Sequence, residues 1–554
     1  MRIFVSVVSI VAAACGGSGA PLDAGSDGGV VPDAGPRDWP LAEVPSVTEP
    51  EPGIAREVLS IPVSDAPANP TTGDDTPSEL DRVRIVRFSP EDATEVRAVI
   101  VAVPGLLGGA GSWEMLARHI VRRSIAAGEP VEVWALDRRA NLLEDLRGLD
   151  AAEAEQNPDV ARGYYLRGET VGGEAFAGFV EQSEVPYVSE WGLTTHMADL
   201  RAVIDHVPAE HQQARVFLMG HSLGASMTAA FGAWRFEDGV RGAELVAGLV
   251  LVDGAAAAEP STETEYREGT SGGLMSMPGV EEIRSSRRFL ALPLLGVEVH
   301  VLAEISAMLA LYAPDEVESD RARRTVLATL MSLPPRNVPD MTNAAAFGWA
   351  FDDASNGLSF AAVSMGQPTG GPTEEYESLF GSTLIRPSDP NATYEWVDAL
   401  ESDPAEHTPL ANLAHSWIDG RTNFAEWYFP LRLPIDLSAV GGLAIPEDGW
   451  QAAEGLRAFD GAAIDAPILA VAAALAPPDR YEPLRASVAP VGAGRPSAGA
   501  TRDVEPGFRV VDVTDRTHID PLTAADTVDN PVPAAVLEFV LANAAPGRVT
   551  PALP

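Results

Sequence analysis

The sequence predicts an α/β fold in which a doubly wound, mostly parallel sheet carries helices on both faces. The chain has 554 residues, 46% of them hydrophobic, which is enough to build a large buried core. Short runs of β-branched residues alternate with helical stretches, a pattern typical of parallel sheets. The run at 96–103 is almost wholly apolar, as expected for a strand that is buried on both faces.

Each predicted strand is a short apolar run bounded by turn residues. In chain order, the strands are predicted at 58–63, 83–88, 96–103, 131–136, 215–219, 245–252, 467–473 and 508–513. Helices are predicted at 113–127, 194–207 and 532–544. Because parallel strands need crossover connections, this alternation predicts parallel pairing over most of the sheet.

Residues 255–465 interrupt the alternation after the sixth predicted strand. This stretch contains aromatic clusters, many prolines and an apolar helical segment at 289–312. Charged residues, a histidine and a proline interrupt that segment, so we interpret it as a buried or groove-lining helix rather than a membrane span. The sequence therefore predicts a large, mainly helical cap inserted between two parts of one core domain, at 56–254 and 466–554.

The first 15 residues have the charged start, short apolar region and small-residue end of a secretory signal peptide. The sequence around Cys15 resembles a bacterial lipoprotein cleavage site, in which the cysteine becomes the lipidated first residue. The alternative is an ordinary signal peptide with an unmodified cysteine. Residues 16–55 are rich in glycine, alanine, aspartate and proline and predict a disordered tether. We expect an exported protein that is lipid-anchored in a bacterial cell envelope.

Charge and cysteine content exclude several classes of partner. The chain has 38 basic and 80 acidic residues, a net charge of −42, and no lysine. Phosphate backbones and anionic membrane surfaces should repel such a polyanion, so we expect no nucleic acid partner and no membrane contact beyond the anchor. A single cysteine allows no intramolecular disulfide and no metal site built from several thiolates.

A candidate nucleophile follows the fifth predicted strand. The pentapeptide Gly220-His221-Ser222-Leu223-Gly224 matches the Gly-x-Ser-x-Gly turn and precedes a helix of small residues. In such a turn the serine hydroxyl is exposed above the sheet, and glycines let the neighbouring backbone pass close to it. The sequence therefore predicts Ser222 as a nucleophile, and we interpret His221 as a packing residue.

A serine nucleophile needs an adjacent base, which is normally a histidine. Of nine histidines, only His300, His407, His415 and His518 follow the serine turn. His518 alone lies in a short loop between the last predicted strand and the last helix, at the carboxyl edge of the sheet. We expect structural histidines at 300 and 415 and a surface histidine at 407.

A carboxylate should orient the histidine and stabilise its cation. Asp479 is the first acid after the strand at 467–473, with Glu482 close behind it. Asp253, at the end of the strand at 245–252, is the alternative. We choose Asp479 because its loop is long enough to bring a carboxylate toward the histidine.

Two backbone amides should stabilise the negative charge that develops on a substrate carbonyl. One is the amide of Leu223, which follows the nucleophile. The other is expected from the glycine-rich loop at 103–113, where Leu106 follows a glycine turn. The alternative for this loop is a purely structural glycine turn.

Together these segments resemble the α/β-hydrolase superfamily over residues 56–254 and 466–554. Pro104-Gly105-Leu106 looks like the His-Gly-x oxyanion loop of that family, with proline in the histidine position. His518-Ile519-Asp520-Pro521 is similar to the family's histidine loop, and the chain order serine, acid, histidine also agrees. The resemblance implies that Leu106 donates its amide, and it implies nothing about what the cap binds.

These residues predict hydrolysis of a small-molecule or lipid carboxylic ester through an acyl-serine intermediate, with no metal and no organic cofactor. Amide and thioester substrates are left open. Serine at the turn argues against dehalogenase and epoxide hydrolase chemistry, which uses an aspartate nucleophile in this fold. The alternative is a surface binding or scaffold protein that keeps the fold but has no turnover, which the large insertion and Pro104 would favour.

Overall fold

The computed structural model describes residues 51–270, 277–290, 296–317, 326–328, 331–378, 381–398, 400 and 403–554. The predicted signal peptide, Cys15 and the predicted tether up to residue 50 lie outside the described residues and stay predictions. The first strand of the sheet begins at Ile54, just before the predicted end of the tether.

The core is one eight-stranded sheet. Its strands are β1 (Ile54–Pro62), β2 (Arg82–Pro90), β3 (Ala98–Val103), β4 (Val131–Asp137), β5 (Val216–His221), β6 (Gly248–Val252), β7 (Ile468–Ala472) and β8 (Phe508–Asp512). Their order in space is β1-β2-β4-β3-β5-β6-β7-β8. Only β2 runs antiparallel to its neighbours, and every other pair is parallel. The predicted mostly parallel sheet is therefore confirmed.

Helices are present at the three predicted positions beside the sheet, as Glu114–Ala126, Leu193–Ile204 and Pro531–Asn543. In chain order, the α-helices that lie wholly within the described residues are α1 (Glu114–Ala126), α2 (Arg147–Glu155), α3 (Pro158–Leu166), α4 (Leu193–Ile204), α5 (Ala209–Arg215), α6 (Leu223–Ala233), α7 (Glu263–Glu268), α8 (Val280–Ser285), α9 (Glu298–Tyr312), α10 (Asn343–Phe351), α11 (Leu410–Ile418), α12 (Arg432–Ala439), α13 (Trp450–Ala453), α14 (Glu482–Ser487), α15 (Asp520–Thr523) and α16 (Pro531–Asn543).

The sheet separates two hydrophobic layers because successive side chains of a strand point to opposite faces. In β3, Val99 and Val101 pack in one layer with α4 and α6, whereas Ile100 and Ala102 pack in the other with α1 and α16. Every residue of β3 is buried, which explains its apolar sequence. The two layers make the sheet a rigid base for the loops at its carboxyl edge.

The cap lies between β6 and β7 and contains α7 to α13. It also contains short strands that the sequence analysis did not anticipate, at Gly269–Thr270, Met277–Pro278, Asp340–Met341, Gln367–Thr369, Thr373–Glu377, Thr383–Pro387 and Thr393–Val397. A further excursion between β4 and β5, with α2 and α3, packs into the same hydrophobic cluster as α9 and α11. From the sequence, that excursion is predicted to be part of the core domain.

The apolar segment at 289–312 forms part of the cap. Its described helix, α9, has 15 residues, and most of them are buried. No helix among the described residues combines the length and the hydropathy needed to cross a bilayer. The interpretation as a buried helix agrees with the described part of the segment from Glu298 to Tyr312.

Candidate active site

Ser222 lies at the sharp turn between β5 and α6. Its backbone has φ 56° and ψ −121°, a strained combination for a residue with a side chain, and its amide donates a 2.9 Å hydrogen bond to the carbonyl of Val252 on β6. Backbone strain of this kind costs about 1–3 kcal/mol and persists only where the surroundings enforce it. The turn is therefore held between two central strands, with Ser222 8% exposed.

The glycines near Ser222 are required by close packing. A Cβ atom on Gly105 would lie 2.9 Å from the Cβ of Ser222, so the loop after β3 passes directly beside the nucleophile. A Cβ atom on Gly224 would collide with the carbonyl oxygen of Val103. Glycine at these two positions lets the β3 loop and the start of α6 meet at the serine.

His518 follows β8 and is almost fully buried, with 3% of its surface exposed. Its Nδ1 lies 2.6 Å from Oδ2 of Asp253, which directly follows β6. The prediction that Asp479 is the partner of His518 is wrong in this structure. Asp479 lies exposed in the short 3₁₀ helix Pro478–Tyr481, whereas the alternative, Asp253, is fully buried beside the imidazole.

The loop after β7 does not supply the acidic residue of the site. It supplies backbone amides that donate hydrogen bonds to Asp253. The amides of Ala473 and Ala476 donate to Oδ1 of Asp253 at 3.0 and 2.7 Å, and the amide of Leu475 donates to Oδ2 at 3.1 Å. Burial raises the pKa of this carboxyl, but the hydrogen bond from His518, the imidazole charge and the amide of Ala476 together lower it below its ordinary value. Asp253 is therefore a carboxylate at neutral pH, and it fixes the proton of His518 on Nδ1.

His221 supports the loop that carries His518. Its Nε2 donates to the carbonyl oxygen of His518 at 2.9 Å, and the two imidazole rings lie 4.4 Å apart between centroids. Burial, with a smaller contribution from His518, lowers the pKa of His221 to about 3. His221 is therefore neutral and positions its neighbour, which agrees with the expected packing role.

The two residues predicted to donate amides to an oxyanion belong to the two segments that meet at Ser222, Leu106 to the loop after β3 and Leu223 to α6. Leu223 is the first residue of α6, and the first amides of a helix have no intrahelical partner and lie at the positive end of the helix dipole. Leu106 lies in the loop at 104–109, which we call the oxyanion loop, directly after Gly105. Leu106 and Ser222 line the same cavity, and Leu223 directly follows Ser222 in the chain.

Arg138, the first residue after β4, holds the oxyanion loop from inside the protein. It is 1% exposed and donates to the carbonyl oxygens of Pro104, Gly105 and Gly108, the last two at 3.1 and 2.9 Å. It also forms a 2.7 Å ion pair with Glu426 of the cap. Burial raises the pKa of Glu426 to about 7, and the charge of Arg138 opposes this increase.

A cap segment pairs with the same loop through its backbone. The amide of Glu426 donates to the carbonyl of Leu107 at 2.8 Å, and the amide of Gly109 donates to the carbonyl of Phe424 at 2.8 Å. Leu107 has φ 57°, in the left-handed region that leucine rarely adopts. The cap segment thus holds a strained loop conformation next to the nucleophile.

Asp520 fixes the histidine loop to the cap. Its carboxylate accepts hydrogen bonds from the hydroxyls of Ser364 and Thr408, at 2.6 and 2.8 Å, and from the amide of Thr517 at 2.9 Å. Ser364 and Thr408 both belong to the cap. Asp520 therefore positions the segment that carries His518 without contacting the imidazole in any described hydrogen bond.

Sequence reasoning did not identify three of these supporting residues. Arg138 could have been found, because a run of charged residues directly after a buried strand is unusual. Asp520 follows the candidate base by two residues and belongs to the segment that resembles the family's histidine loop, but no role was predicted for it. Glu426 carries no local signal, because its partner is far away in the chain.

Ser222 and His518 both line a cavity of about 220 Å³. Much of the remaining lining comes from the cap, including residues of α9 and α10 and the stacked rings of Trp417 and Phe424, whose centroids are 4.9 Å apart. Most of the described lining residues are aliphatic or aromatic. The cavity therefore suits an apolar group placed next to a reactive serine.

Metal ligation is not a feature of the described residues, which contain no group of three histidine, cysteine or acidic side chains able to hold an ion. The strand order, the strained serine between β5 and α6, the buried histidine after β8 and the cap after β6 together form the arrangement of the α/β-hydrolase fold.

Residues 187–268 match the family model of the serine aminopeptidases S33, which covers the serine turn. No curated protein sequence matches the chain. A candidate lipase from Sulfolobus solfataricus is 12% identical, with a TM-score of 0.41 over 90% of this chain and 96% of that one. An esterase from Thermogutta terrifontis is 11% identical, with a TM-score of 0.31 over 86% and 97% of the two chains. A peroxisomal α/β-hydrolase from Saccharomyces cerevisiae is 11% identical, with a TM-score of 0.36 over 89% and 90%.

Proposed function

We propose that this protein hydrolyses carboxylic esters through an acyl-serine intermediate. Ser222 is the nucleophile, His518 the general base and Asp253 the acid that orients it. The observation that carries the proposal is the 2.6 Å hydrogen bond between His518 and Asp253, combined with the strained serine that lines the same cavity as the histidine.

The first half of the reaction transfers the acyl group to the protein. Ser222 Oγ attacks the ester carbonyl carbon while His518 Nε2, which carries the lone pair because Nδ1–H points to Asp253, takes the hydroxyl proton. The amides of Leu106 and Leu223 donate to the oxyanion of the tetrahedral intermediate. Each such donor typically contributes about 2.7–4 kcal/mol of transition-state stabilisation. The intermediate collapses when the carbon–oxygen bond to the alcohol breaks and His518 returns the proton to that oxygen.

The second half releases the acid. A water molecule attacks the acyl-serine carbonyl as His518 takes its proton, and the same two amides hold the second oxyanion. The bond to Ser222 Oγ then breaks and the serine recovers its proton from His518. Water enters and a carboxylic acid and an alcohol leave, so the protein returns to its starting state.

A fluorophosphonate probe tests the proposal directly. Such probes form a covalent bond with an activated serine, so we expect the folded wild-type protein to be labelled at Ser222 and Ser222→Ala to remain unlabelled. Ser222→Ala should also abolish hydrolysis of p-nitrophenyl esters with little change in Tm, because replacing one hydroxyl opens no core cavity. A folded wild-type protein that is neither labelled nor active would instead favour the alternative, a binding or scaffold protein without turnover.

We also propose that a lipid on Cys15 anchors the folded protein at a bacterial cell envelope. The proposal rests on the sequence around the only cysteine and on the apolar run before it. The strongly acidic composition argues against a second, electrostatic attachment to an anionic membrane surface.

A further inference from the structure

His300, on the cap helix α9, lines the cavity that contains Ser222 and has no side-chain partner among the described residues. It lines the cavity and is only 6% exposed, so about nine-tenths of its surface is buried. Within the described part of the chain, neither ring nitrogen forms a hydrogen bond or an ion pair, and burial is the sole influence on its pKa. A buried polar group without a hydrogen-bond partner is energetically unfavourable. A structural histidine with hydrogen-bond partners is expected here from the sequence, and the described residues do not supply such partners.

Two other polar side chains of the cavity lining, Asn356 and Ser112, form hydrogen bonds within the protein. The side chain of Asn356 donates to the carbonyl of Ala350 at 3.0 Å and accepts from the amide of Leu358 at 2.8 Å. The hydroxyl of Ser112 donates to the carbonyl of Gly109 at 2.7 Å. These groups need nothing from a ligand, whereas His300 can still donate one hydrogen bond and accept another.

The charge of the described cavity lining limits which ligands the cavity can bind. Burial lowers the pKa of His300 to about 4, so the ring is neutral at physiological pH. The described lining contains no arginine, aspartate or glutamate. A charged group would lose its hydration here without gaining an ion pair, which is strongly unfavourable. An uncharged hydroxyl or carbonyl group fits a neutral imidazole among apolar side chains.

We propose that the substrate is an uncharged, mainly apolar ester that carries a second hydrogen-bonding group, a hydroxyl or a carbonyl, which binds His300. The ester part of this statement rests on the proposed function, whereas the polar contact rests on the cavity itself. Since a site built to hydrogen-bond a substrate group discriminates against analogues that lack it, we expect the second group to raise kcat/KM.

The kinetic test compares matched p-nitrophenyl esters. One series has plain medium-chain acyl groups, and the other has the same chains with one hydroxyl or keto group at successive carbons. We expect at least one polar ester to exceed its plain analogue by about tenfold in kcat/KM, which corresponds to about 1.4 kcal/mol. His300→Leu should remove that preference, and His300→Gln, which can still donate and accept, should keep part of it.

Leu302 provides the matched control, because it lies on the same helix and lines the same cavity. Leu302→Ala should weaken both ester series alike and leave their ratio unchanged, because it removes apolar contact only. The proposal is overturned if no polar ester is preferred by the wild type, or if His300→Leu keeps the preference.

A binding measurement separates this proposal from the proposed function. In the Ser222→Ala background no turnover is needed, so the Tm increase caused by medium-chain alcohols and ketones can be compared with that caused by the matching alkylbenzenes. We expect the polar ligands to stabilise the protein more, and His300→Leu to reduce this difference. If polar and apolar ligands raise Tm by the same difference with and without His300, the inference is overturned even if ester hydrolysis is established. If the protein hydrolyses no ester but the Tm difference depends on His300, only the proposed function is overturned.

Discussion

Replacing Asp253 with asparagine changes one atom of the candidate site and should remove most of its activity. In the wild type, Oδ1 of Asp253 accepts from the amides of Ala473 and Ala476, and Oδ2 accepts from Leu475 and from His518. The amide oxygen of asparagine can replace Oδ1. Its NH₂ group then replaces Oδ2 and faces two donors.

The size of the expected loss in activity follows from which ring nitrogen of His518 carries the proton. An NH₂ group beside Nδ1 favours the tautomer with the proton on Nε2, which is the atom that must accept the proton of Ser222. The expected loss in kcat is about 10⁴-fold, or about 5 kcal/mol of transition-state stabilisation. The amide of Leu475 also loses its acceptor, which should cost about 1–3 kcal/mol of folding free energy and lower Tm by a few degrees.

The assay measures kcat with an activated ester for Asp253→Asn and Asp479→Asn in parallel. Asp479 is the matched control, because it is an exposed acid on the loop after β7, and its variant should remain near wild type. Circular dichroism and thermal unfolding check that both variants are folded. A large loss confined to Asp479→Asn, with Asp253→Asn near wild type, would refute the reasoning and return the role of the acid to Asp479.

The same substitution has a second consequence at acid pH. Because folding lowers the pKa of Asp253, its ionisation stabilises the wild type above the unfolded-state pKa, and this stabilisation is lost as the pH falls through the folded-state pKa. Asp253→Asn lacks the titrating group. The difference in Tm between the two proteins should therefore shrink as the pH falls below about 4.

Three further perturbations test other parts of the structure. Arg138→Lys keeps a positive charge but cannot span three carbonyls and Glu426, so kcat should fall by about 10–100-fold through displacement of the oxyanion loop; an unchanged kcat would show that the loop is held without the guanidinium. Burial raises the pKa of Glu153 to about 9, so the wild type should lose about 1.4 kcal/mol of unfolding free energy per pH unit between the unfolded-state and folded-state values as the pH rises. Glu153→Gln should make the dependence of the unfolding free energy on pH less steep, as measured by urea unfolding at a series of pH values. Parallel pH profiles for the variant and the wild type would contradict the raised pKa. Cys15→Ser should release the protein from the membrane fraction or block its maturation; a wild type that is already soluble and carries no lipid by mass spectrometry would contradict the anchor.

The sheet could be predicted from the sequence because its strands are local patterns. Each strand of the sheet is a short run that must be apolar where both faces are covered, and β3 and β6 are buried at every position. The serine turn was predictable for the same reason, since its glycines and its flanking strand and helix adjoin one another in the chain. His518 was found from its place after the last strand.

The acid could not be chosen from the sequence because two strands end side by side in the sheet. β6 and β7 are parallel neighbours, and acids follow both of them. Which acid turns inward depends on the loop after β7, whose amides at Ala473, Leu475 and Ala476 form a site for a carboxylate. Nothing in the local sequence distinguishes a loop that supplies amides from one that supplies an acid.

The cap was beyond sequence reasoning because its contacts are long-range and its strands are short. Strands such as Thr373–Glu377 are mostly exposed and highly charged, so they lack the alternating apolar pattern that identifies a strand. Glu426 meets Arg138 across 288 positions of the chain. Such pairings appear only when the fold brings the segments together.

The backbone pairing between the oxyanion loop and residues 424–426 limits how this protein could be redesigned. Transplanting a cap from another hydrolase is an obvious route to new specificity, since the cap provides much of the cavity lining. A donor cap without an equivalent of this short segment would leave Arg138 without its carboxylate and Leu107 without the bond from Glu426. A successful exchange must therefore keep residues 424–426 of this protein and replace only cap helices that line the cavity, such as α9 and α10.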